Sequence, residues 1–129
     1  MLADDALSAT PEGFSLRIRS HWYRSLPLSS IGTLAVKLDG AVVPPENISF
    51  EVNGARHPHS ALPSLHDEWW FILDAAAVRV QWPDRPAPGS SHEVAVELGL
   101  LLPYILVGPR AEPLLSLSRV AKTLRCQSQ

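Results

Sequence analysis

Cysteine is nearly absent from this chain of 129 residues, and the single thiol belongs to Cys126, close to the C-terminus. One thiol cannot form an intramolecular disulfide, and such cysteine usage is typical of a reducing compartment. The first five residues carry two aspartates where a secretory signal carries basic residues. These features predict a cytoplasmic protein.

An excess of charge of one sign is also absent, as is any long apolar run. Eleven Lys and Arg residues against thirteen Asp and Glu residues leave a formal net charge of −2. Nucleic-acid binding needs a basic face that displaces counterions, and the basic residues here are scattered among acidic ones. The most apolar segment, residues 98–108, is shorter than the ~20 residues that span a bilayer, and it contains Pro103. We therefore expect neither a nucleic-acid partner nor a membrane partner.

Helical periodicity is the third absence, and the twelve prolines are unfavourable in the interior of long helices. Apolar residues instead alternate with other residues at a period of two, which predicts half-buried strands. The clearest such runs are Phe14–Ile18, Leu34–Leu38, Ile48–Val52, Val78–Trp82 and Val94–Leu102. This pattern predicts an all-β fold, an antiparallel β-sandwich of two sheets.

Two of these runs are followed directly by a turn-forming dipeptide, Asp39-Gly40 and Asn53-Gly54. Both favour the type I′ turn of a tight hairpin, because both central residues of that turn need positive φ. No internal repeat or second domain is visible. The predicted organisation is a flexible leader over residues 1–12, a single sandwich domain over residues 13–125, and a short tail over residues 126–129.

Three groups of residues contain side chains of the kinds that bind metals or take part in catalysis. His57 and His59 would point to the same side of a strand and suit a shared metal ion, but no third ligand is near in sequence and a solvated loop is favoured. The segment His66–Glu68 places a base and two carboxylates before the apolar Trp69-Trp70, although the favoured interpretation is a polar loop that enters a strand whose tryptophans fill the core. Cys126 lies in a tail expected to fray. The sequence therefore predicts no catalytic residue, metal ligand or cofactor site in this chain.

Two segments are better suited to binding. Large aromatic and aliphatic side chains with an arginine are concentrated in one loop, and a second apolar group ends the longest predicted strand. These residue types are enriched at the centres of protein interfaces, and an apolar strand tip on both faces suggests burial against another surface. The predicted interface or pocket-rim residues are Trp22, Tyr23, Arg24, Leu26, Leu28, Pro103, Tyr104 and Ile105. A core-filling role for the loop is the alternative.

Several segments together resemble the small (β) subunit of bacterial C-glycoside deglycosidases. The resemblance extends from Phe14 to Leu124, which is nearly the whole chain. Each motif alone is weak evidence for the family, but the order and spacing of the motifs together are more specific. The segments that carry it are residues 14–19, 22–28, 36–40, 48–54, 68–74, 88–89, 92–96 and 103–105.

The resemblance implies a jelly-roll-like sandwich that pairs with a larger α subunit. That partner is similar to sugar isomerases, a (β/α) barrel that holds a divalent metal, expected to be manganese. The complex would cleave the C–C bond between a 3-oxo-sugar and an aromatic aglycone such as a flavonoid, or in some relatives a C–O bond, by elimination. A ketone at C3 acidifies the proton at C2, a base removes that proton, and the metal stabilises the enolate oxygen.

For this chain the resemblance implies an accessory role within a hetero-oligomer of repeated αβ pairs. The metal, base and acid would belong to the partner, and the interface residues predicted above would contact the partner or the rim of its pocket. Two alternatives remain. One is a free-standing carbohydrate-binding module in which Trp22, Trp69 or Trp82 stacks on a sugar face. The other is a purely structural oligomerisation subunit.

Overall fold

The computed structural model of the chain describes residues 2–19, 25–71, 75–84, 86–107, 109 and 112–127. The strands in these ranges are β1 (Leu2–Thr10), β2 (Gly13–Arg19), β3 (Leu26–Pro27), β4 (Ile31–Leu38), β5 (Ala41–Val42), β6 (Ile48–Val52), β7 (Ala55–Pro58), β8 (Trp69–Trp70), β9 (Ala75–Gln81), β10 (Ser91–Val107) and β11 (Glu112–Arg125). Three short 3-10 helices are η1 (Leu28–Ser30), η2 (Pro45–Asn47) and η3 (His59–Ser64). Within the same ranges, no helix has the length and apolar character needed to cross a lipid bilayer.

The strands form two main sheets and one small one. The first sheet has the order β1-β2-β9-β6-β7, the second has the order β11-β10-β4-β5, and β3 pairs with β8 in a two-stranded ribbon. The strand pairs within these sheets are antiparallel. The prediction of an all-β antiparallel sandwich is confirmed.

The core consists of the inward residues of both sheets. Phe14, Leu16 and Ile18 of β2 are fully buried. On the opposite sheet, alternate residues of β10 from Val94 to Leu102 are no more than 2% exposed. Each such side chain contributes roughly 1.5–3 kcal/mol relative to an exposed position. The alternation read from the sequence therefore identifies the face of each strand that packs inward.

The two predicted hairpin turns are confirmed by their backbone geometry. Asp39 and Gly40 have φ values of 51° and 82°, and Asn53 and Gly54 have values of 55° and 75°. These turns join β4 to β5 and β6 to β7. Positive φ is costly for residues with a bulky Cβ substituent, which is why Asp, Asn and Gly occupy the four positions.

The N-terminal segment differs from the flexible leader that the sequence predicts. Residues 2–10 form β1, which pairs with β2 and buries Leu2, Ala6 and Leu7 in the core. A register irregularity between Leu2 and Leu7 interrupts the period of two, which hides the strand from a pattern search. Asp5 lies within this irregular segment, where its carboxylate accepts a hydrogen bond from Arg17 at 2.6 Å.

The C-terminal segment also differs from the expected frayed tail. Cys126 is 2% exposed, its N–H donates to the carbonyl of Ser90 at 2.8 Å, and its own carbonyl accepts from the N–H of Gly89 at 2.8 Å. Gln127 exchanges backbone hydrogen bonds with β1, donating to Leu7 and accepting from Ala9. The expectation of fraying is therefore wrong at residues 126 and 127, because backbone pairing holds them between a turn and β1.

Candidate partner interface

The two histidines that the sequence singles out as a metal pair do not lie on one strand. β7 ends at Pro58, and His59 begins η3. Nε2 of His59 lies 3.0 Å from the carbonyl oxygen of Leu34, so it carries the proton in that hydrogen bond and its lone pair is not available to a metal. Nε2 of His57 is buried and has no hydrogen-bond partner among the described residues. The geometry expected for a shared metal ion is not present.

The acidic segment before β8 lies largely at the surface. His66 and Asp67 are exposed, and Glu68 is half-buried. The backbone carbonyl of Glu68 accepts a hydrogen bond from Leu28 at 2.7 Å, which ties this segment to η1. The favoured interpretation, a polar loop that leads into a strand whose tryptophans fill the core, is confirmed for the loop and for Trp70, which is 3% exposed. It is wrong for Trp69, which is 42% exposed.

The sequence analysis did not identify one cluster of residue types that are common in active sites. Asp39 lies in the turn after β4, far in sequence from Ser90 and His92 at the start of β10. Nδ1 of His92 lies 2.7 Å from Oδ2 of Asp39, and its Nε2 lies 2.7 Å from Oγ of Ser90. The same serine hydroxyl donates to the carbonyl of Ala87. A hydroxyl has only one proton, so while Ser90 donates to Ala87 its oxygen can only accept in the contact with His92.

The Asp39 carboxylate anchors this cluster. The hydrogen bond from His92 and then the bond from the N–H of Glu93 hold the pKa of Asp39 below its ordinary value of 3.8. The cluster therefore joins the turn between β4 and β5 to the start of β10. We interpret it as a link between two turns.

The eight predicted interface residues fall into three groups. Trp22, Tyr23 and Arg24 lie outside the described residues, as do the side chains of Pro103, Tyr104 and Ile105. Leu26 and Leu28 are 6% and 0% exposed and belong to the core of this chain. These two leucines present no side chain at the surface, so the interface considered below does not include them. The role of the other six residues stays a prediction.

Two aromatic side chains are exposed at β8 and directly after it. Trp69 is 42% exposed and Phe71 is 52% exposed, and we call this pair the aromatic edge. Trp69 pairs with Pro27 of β3, the strand that follows the loop of residues 22–24. The aromatic edge therefore lies at the β3–β8 ribbon, and residues 22–24 precede β3 in the sequence.

The exposure of this pair follows from packing beneath it. Trp70 is 3% exposed and contacts Phe50 edge-to-face, with ring centroids 5.2 Å apart. Because successive residues of an extended chain point to opposite sides, burial of Trp70 directs Trp69 and Phe71 outward. The side-chain amide of Asn53 donates to the carbonyl of Trp69 at 2.7 Å and fixes the backbone there. The aromatic edge is thus a pre-organised apolar surface.

The Asp39 contact predicts a defined acid dependence of stability. A carboxyl group whose pKa is lowered on folding stabilises the fold above its unfolded pKa of 3.8, and this contribution is lost as pH falls through the folded value. Replacement of His92 by Ala removes the largest cause, so the pKa of Asp39 should rise toward 3.8. The free energy of unfolding should then depend less steeply on pH in the acid range. Urea titrations with NMR detection of Asp39 measure both effects.

The matched control for this prediction is His66→Ala, which removes an exposed histidine far from Asp39 in sequence. This variant should retain the pH profile of the wild type. An unchanged pKa of Asp39 in the His92→Ala variant would contradict the assignment.

Comparisons with known proteins agree with the resemblance seen in the sequence. The family model described as the C-glycoside deglycosidase beta subunit matches residues 5–104. A Microbacterium sp protein named 3'-dehydrocarminate deglycosidase beta subunit is 36% identical over 107 residues, which cover 83% of this chain and 80% of that protein. A protein of Microbacterium trichothecenolyticum named C-glycoside deglycosidase beta subunit is 38% identical over 93 residues, covering 72% and 70%. An Arthrobacter globiformis protein of the same name is 30% identical over 109 residues, covering 84% and 83%. The chain therefore belongs to the C-glycoside deglycosidase beta subunit family.

Proposed function

We propose that this chain serves a heteromeric C-glycoside deglycosidase as its accessory subunit, while a larger α subunit performs the chemistry. The reaction proposed for the complex is cleavage of the C–C bond of a 3-oxo-C-glycoside by metal-assisted elimination. Family membership supports the subunit role. The name of the relative from Microbacterium sp refers to 3'-dehydrocarminate, a dehydrogenated and therefore oxidised compound. This agrees with an oxidised glycoside as the proposed substrate.

The division of labour is proposed from the resemblance of this chain to the small subunits of such complexes. On that basis the metal, expected to be manganese, is assigned to the partner together with the base that removes the C2 proton and the acid that protonates the leaving carbon. The partner is proposed to be a (β/α) barrel, and the complex to consist of repeated αβ pairs in the cytoplasm.

The contribution proposed for this chain is docking through the aromatic edge. Tryptophan dominates interface energetics, because its large ring loses much water contact when a partner covers it. The backbone of Trp69 is already held by Asn53, so binding would order few additional groups there. The loop of residues 22–24 precedes the same ribbon in sequence and is proposed to extend this interface. The observation that carries the proposal is the outward exposure of two adjacent aromatic rings beside the ribbon.

A carbohydrate-binding module is the second candidate, and the exposed ring of Trp69 favours it. An exposed indole can stack on a pyranose face without any partner subunit. The two candidates differ in what they bind when the chain is alone. A binding module would take up free glucosides measurably in calorimetry, whereas the accessory subunit would show no heat of binding until the partner is added.

Substitution of Trp69 by Ala should weaken the αβ complex. A tryptophan at the centre of an interface contributes about 2 kcal/mol or more, which corresponds to roughly 30-fold in the dissociation constant. Surface plasmon resonance with immobilised α subunit measures this change. Val42→Ala is the matched control, since Val42 is 65% exposed on β5 and lies in a different sheet. Equal affinity of the Trp69→Ala variant and the wild type would remove the aromatic edge from the interface.

Turnover should require both subunits. With a 3-oxo-C-glucoside as substrate, we expect no product from this chain alone, and turnover that rises with added chain until it saturates at one chain per α subunit. Dialysis against a chelator should abolish turnover, and Mn²⁺ should restore it, because the metal is assigned to the partner. Full activity of the α subunit by itself would favour a purely structural role for this chain, and product formed by this chain alone would refute the proposal.

A further inference from the structure

The turn between β6 and β7 is open to solvent around Gly54. Val52 pairs with Ala55, so Asn53 and Gly54 alone form the turn, and both are exposed. A Cβ built on Gly54 would have no heavy atom of the described residues within 4 Å, apart from its neighbours in the chain. Neither a side chain of its own nor a packed neighbour therefore crowds the backbone of Gly54 beside the amide of Asn53.

The same amide provides a hydrogen bond that ties β8 to this turn. Nδ2 of Asn53 donates to the carbonyl of Trp69 at 2.7 Å. The N–H of Leu28 donates to the carbonyl of Glu68, and carbonyls point to alternate sides along an extended strand, so the carbonyl of Trp69 points away from β3 and toward the turn. β8 consists of Trp69 and Trp70 alone. In so short a strand, the bond from Asn53 is a large part of the backbone restraint.

We infer that Asn53 is a site of spontaneous deamidation, and that this reaction releases the aromatic edge. The backbone nitrogen of Gly54 attacks Cγ of Asn53, the bond from Cγ to Nδ2 breaks, and ammonia leaves with the proton of that backbone nitrogen. The product is a five-membered succinimide ring. Water then opens the ring at Cγ to give aspartate, or at the backbone carbonyl carbon to give isoaspartate, in which the chain continues through Cγ. Water is the only other reactant.

Either product removes the donor that holds Trp69. A carboxylate accepts hydrogen bonds and has no proton to donate, so its oxygens repel the carbonyl oxygen of Trp69 in the place where the amide is bonded. The stabilisation from that hydrogen bond is lost as well. Isoaspartate also adds one methylene group to the backbone of a two-residue turn, which disturbs the pairing of Val52 with Ala55. The expected result is faster local opening at Trp69 and Phe71.

Two other positions in the chain serve as internal references. Asn47, the second of the two asparagines, is followed by Ile48, whose branched side chain hinders attack by the backbone nitrogen. The Asp39-Gly40 turn has nearly the same geometry, with φ values of 51° and 82° against 55° and 75° at Asn53-Gly54. Its carboxyl group, however, has no amide nitrogen to expel as ammonia. Asn53 alone combines an amide with a following glycine.

Peptide mapping of the full chain tests the modification. Trypsin releases residues 38–56 as one peptide that contains both asparagines and the Asp39-Gly40 turn. After incubation of the folded chain in mildly alkaline buffer, fragmentation mass spectrometry should show conversion of Asn53 to aspartate and isoaspartate, while Asn47 keeps its amide. Gly54→Ala should slow the conversion because its methyl group hinders attack, and Asn47 in the same peptide remains the control if that variant does not fold. An Asn53 that stays intact in the folded chain, over a time that converts it in the urea-unfolded chain, would overturn the inference.

Asn53→Asp reproduces one product and tests the consequence. Amide hydrogen exchange at residues 69–71 of the isolated chain should be about threefold to tenfold faster than in the wild type, as expected for the loss of one hydrogen bond. Asn47→Asp is the matched control, because it makes the same change of charge about 20 Å away along β6 and should leave that exchange unchanged. Near-native thermal melting curves separate local release from loss of the fold. Exchange at the wild-type rate in Asn53→Asp would overturn the inference.

The effect on the α subunit rests on the proposed docking through the aromatic edge. Release of Trp69 adds an ordering cost to binding, so Asn53→Asp should raise the dissociation constant about threefold to tenfold. Weaker binding by Trp69→Ala beside unchanged binding by Asn53→Asp would overturn this regulation by deamidation. Unchanged binding by both variants would instead refute the docking proposal, while the conversion of Asn53 and the faster exchange would still support the modification.

Discussion

The alternation of β10 is the constraint on which the rest of the structure depends. Its inward side chains from Val94 to Leu102 fill the core, and the strand pairs with β4 on one side and with β11 on the other. A shift of one residue would move every buried side chain to the outer face, so the core fixes the register of all three strands. The same register places Leu115 and Leu117 of β11 on the outer face, where they are 45% and 42% exposed. The alternation therefore determines both which side chains are buried and which are exposed.

The polar residues of the chain serve mainly to hold this sandwich together. Asp39, His92 and Ser90 join turns, and the ion pair of Arg79 with Glu51, at 2.6 Å, links β9 to β6. His59 binds a backbone carbonyl. These contacts connect turns and strands that are far apart in the sequence. The exposed side chains of Trp69 and Phe71 provide an apolar surface of the kind that is suited to recognition.

The sequence predicts the features that local patterns control. The sandwich, the inward faces and both hairpin turns follow from a period of two and from the needs of positive φ at Asp39 and Asn53. β1 was missed, because an irregular register around Asp5 breaks its alternation. The pairing of Gln127 with β1 and the contact of His92 with Asp39 were also missed, since contacts between distant segments leave no local pattern. The exposure of Trp69 beside buried Trp70 depends on Phe50, which two adjacent tryptophans in a sequence do not reveal.

Amide hydrogen exchange of this chain, alone and with saturating α subunit, tests the central claim most directly. The account predicts that the partner slows exchange at residues 25–26 and 69–71, in the β3–β8 ribbon and its aromatic edge, because those amides become covered. Exchange at the turn of residues 39–42, on a different sheet, should stay the same. Protection confined to that turn, or no protection anywhere at saturation, would contradict a role for this chain as a subunit that docks through its aromatic edge.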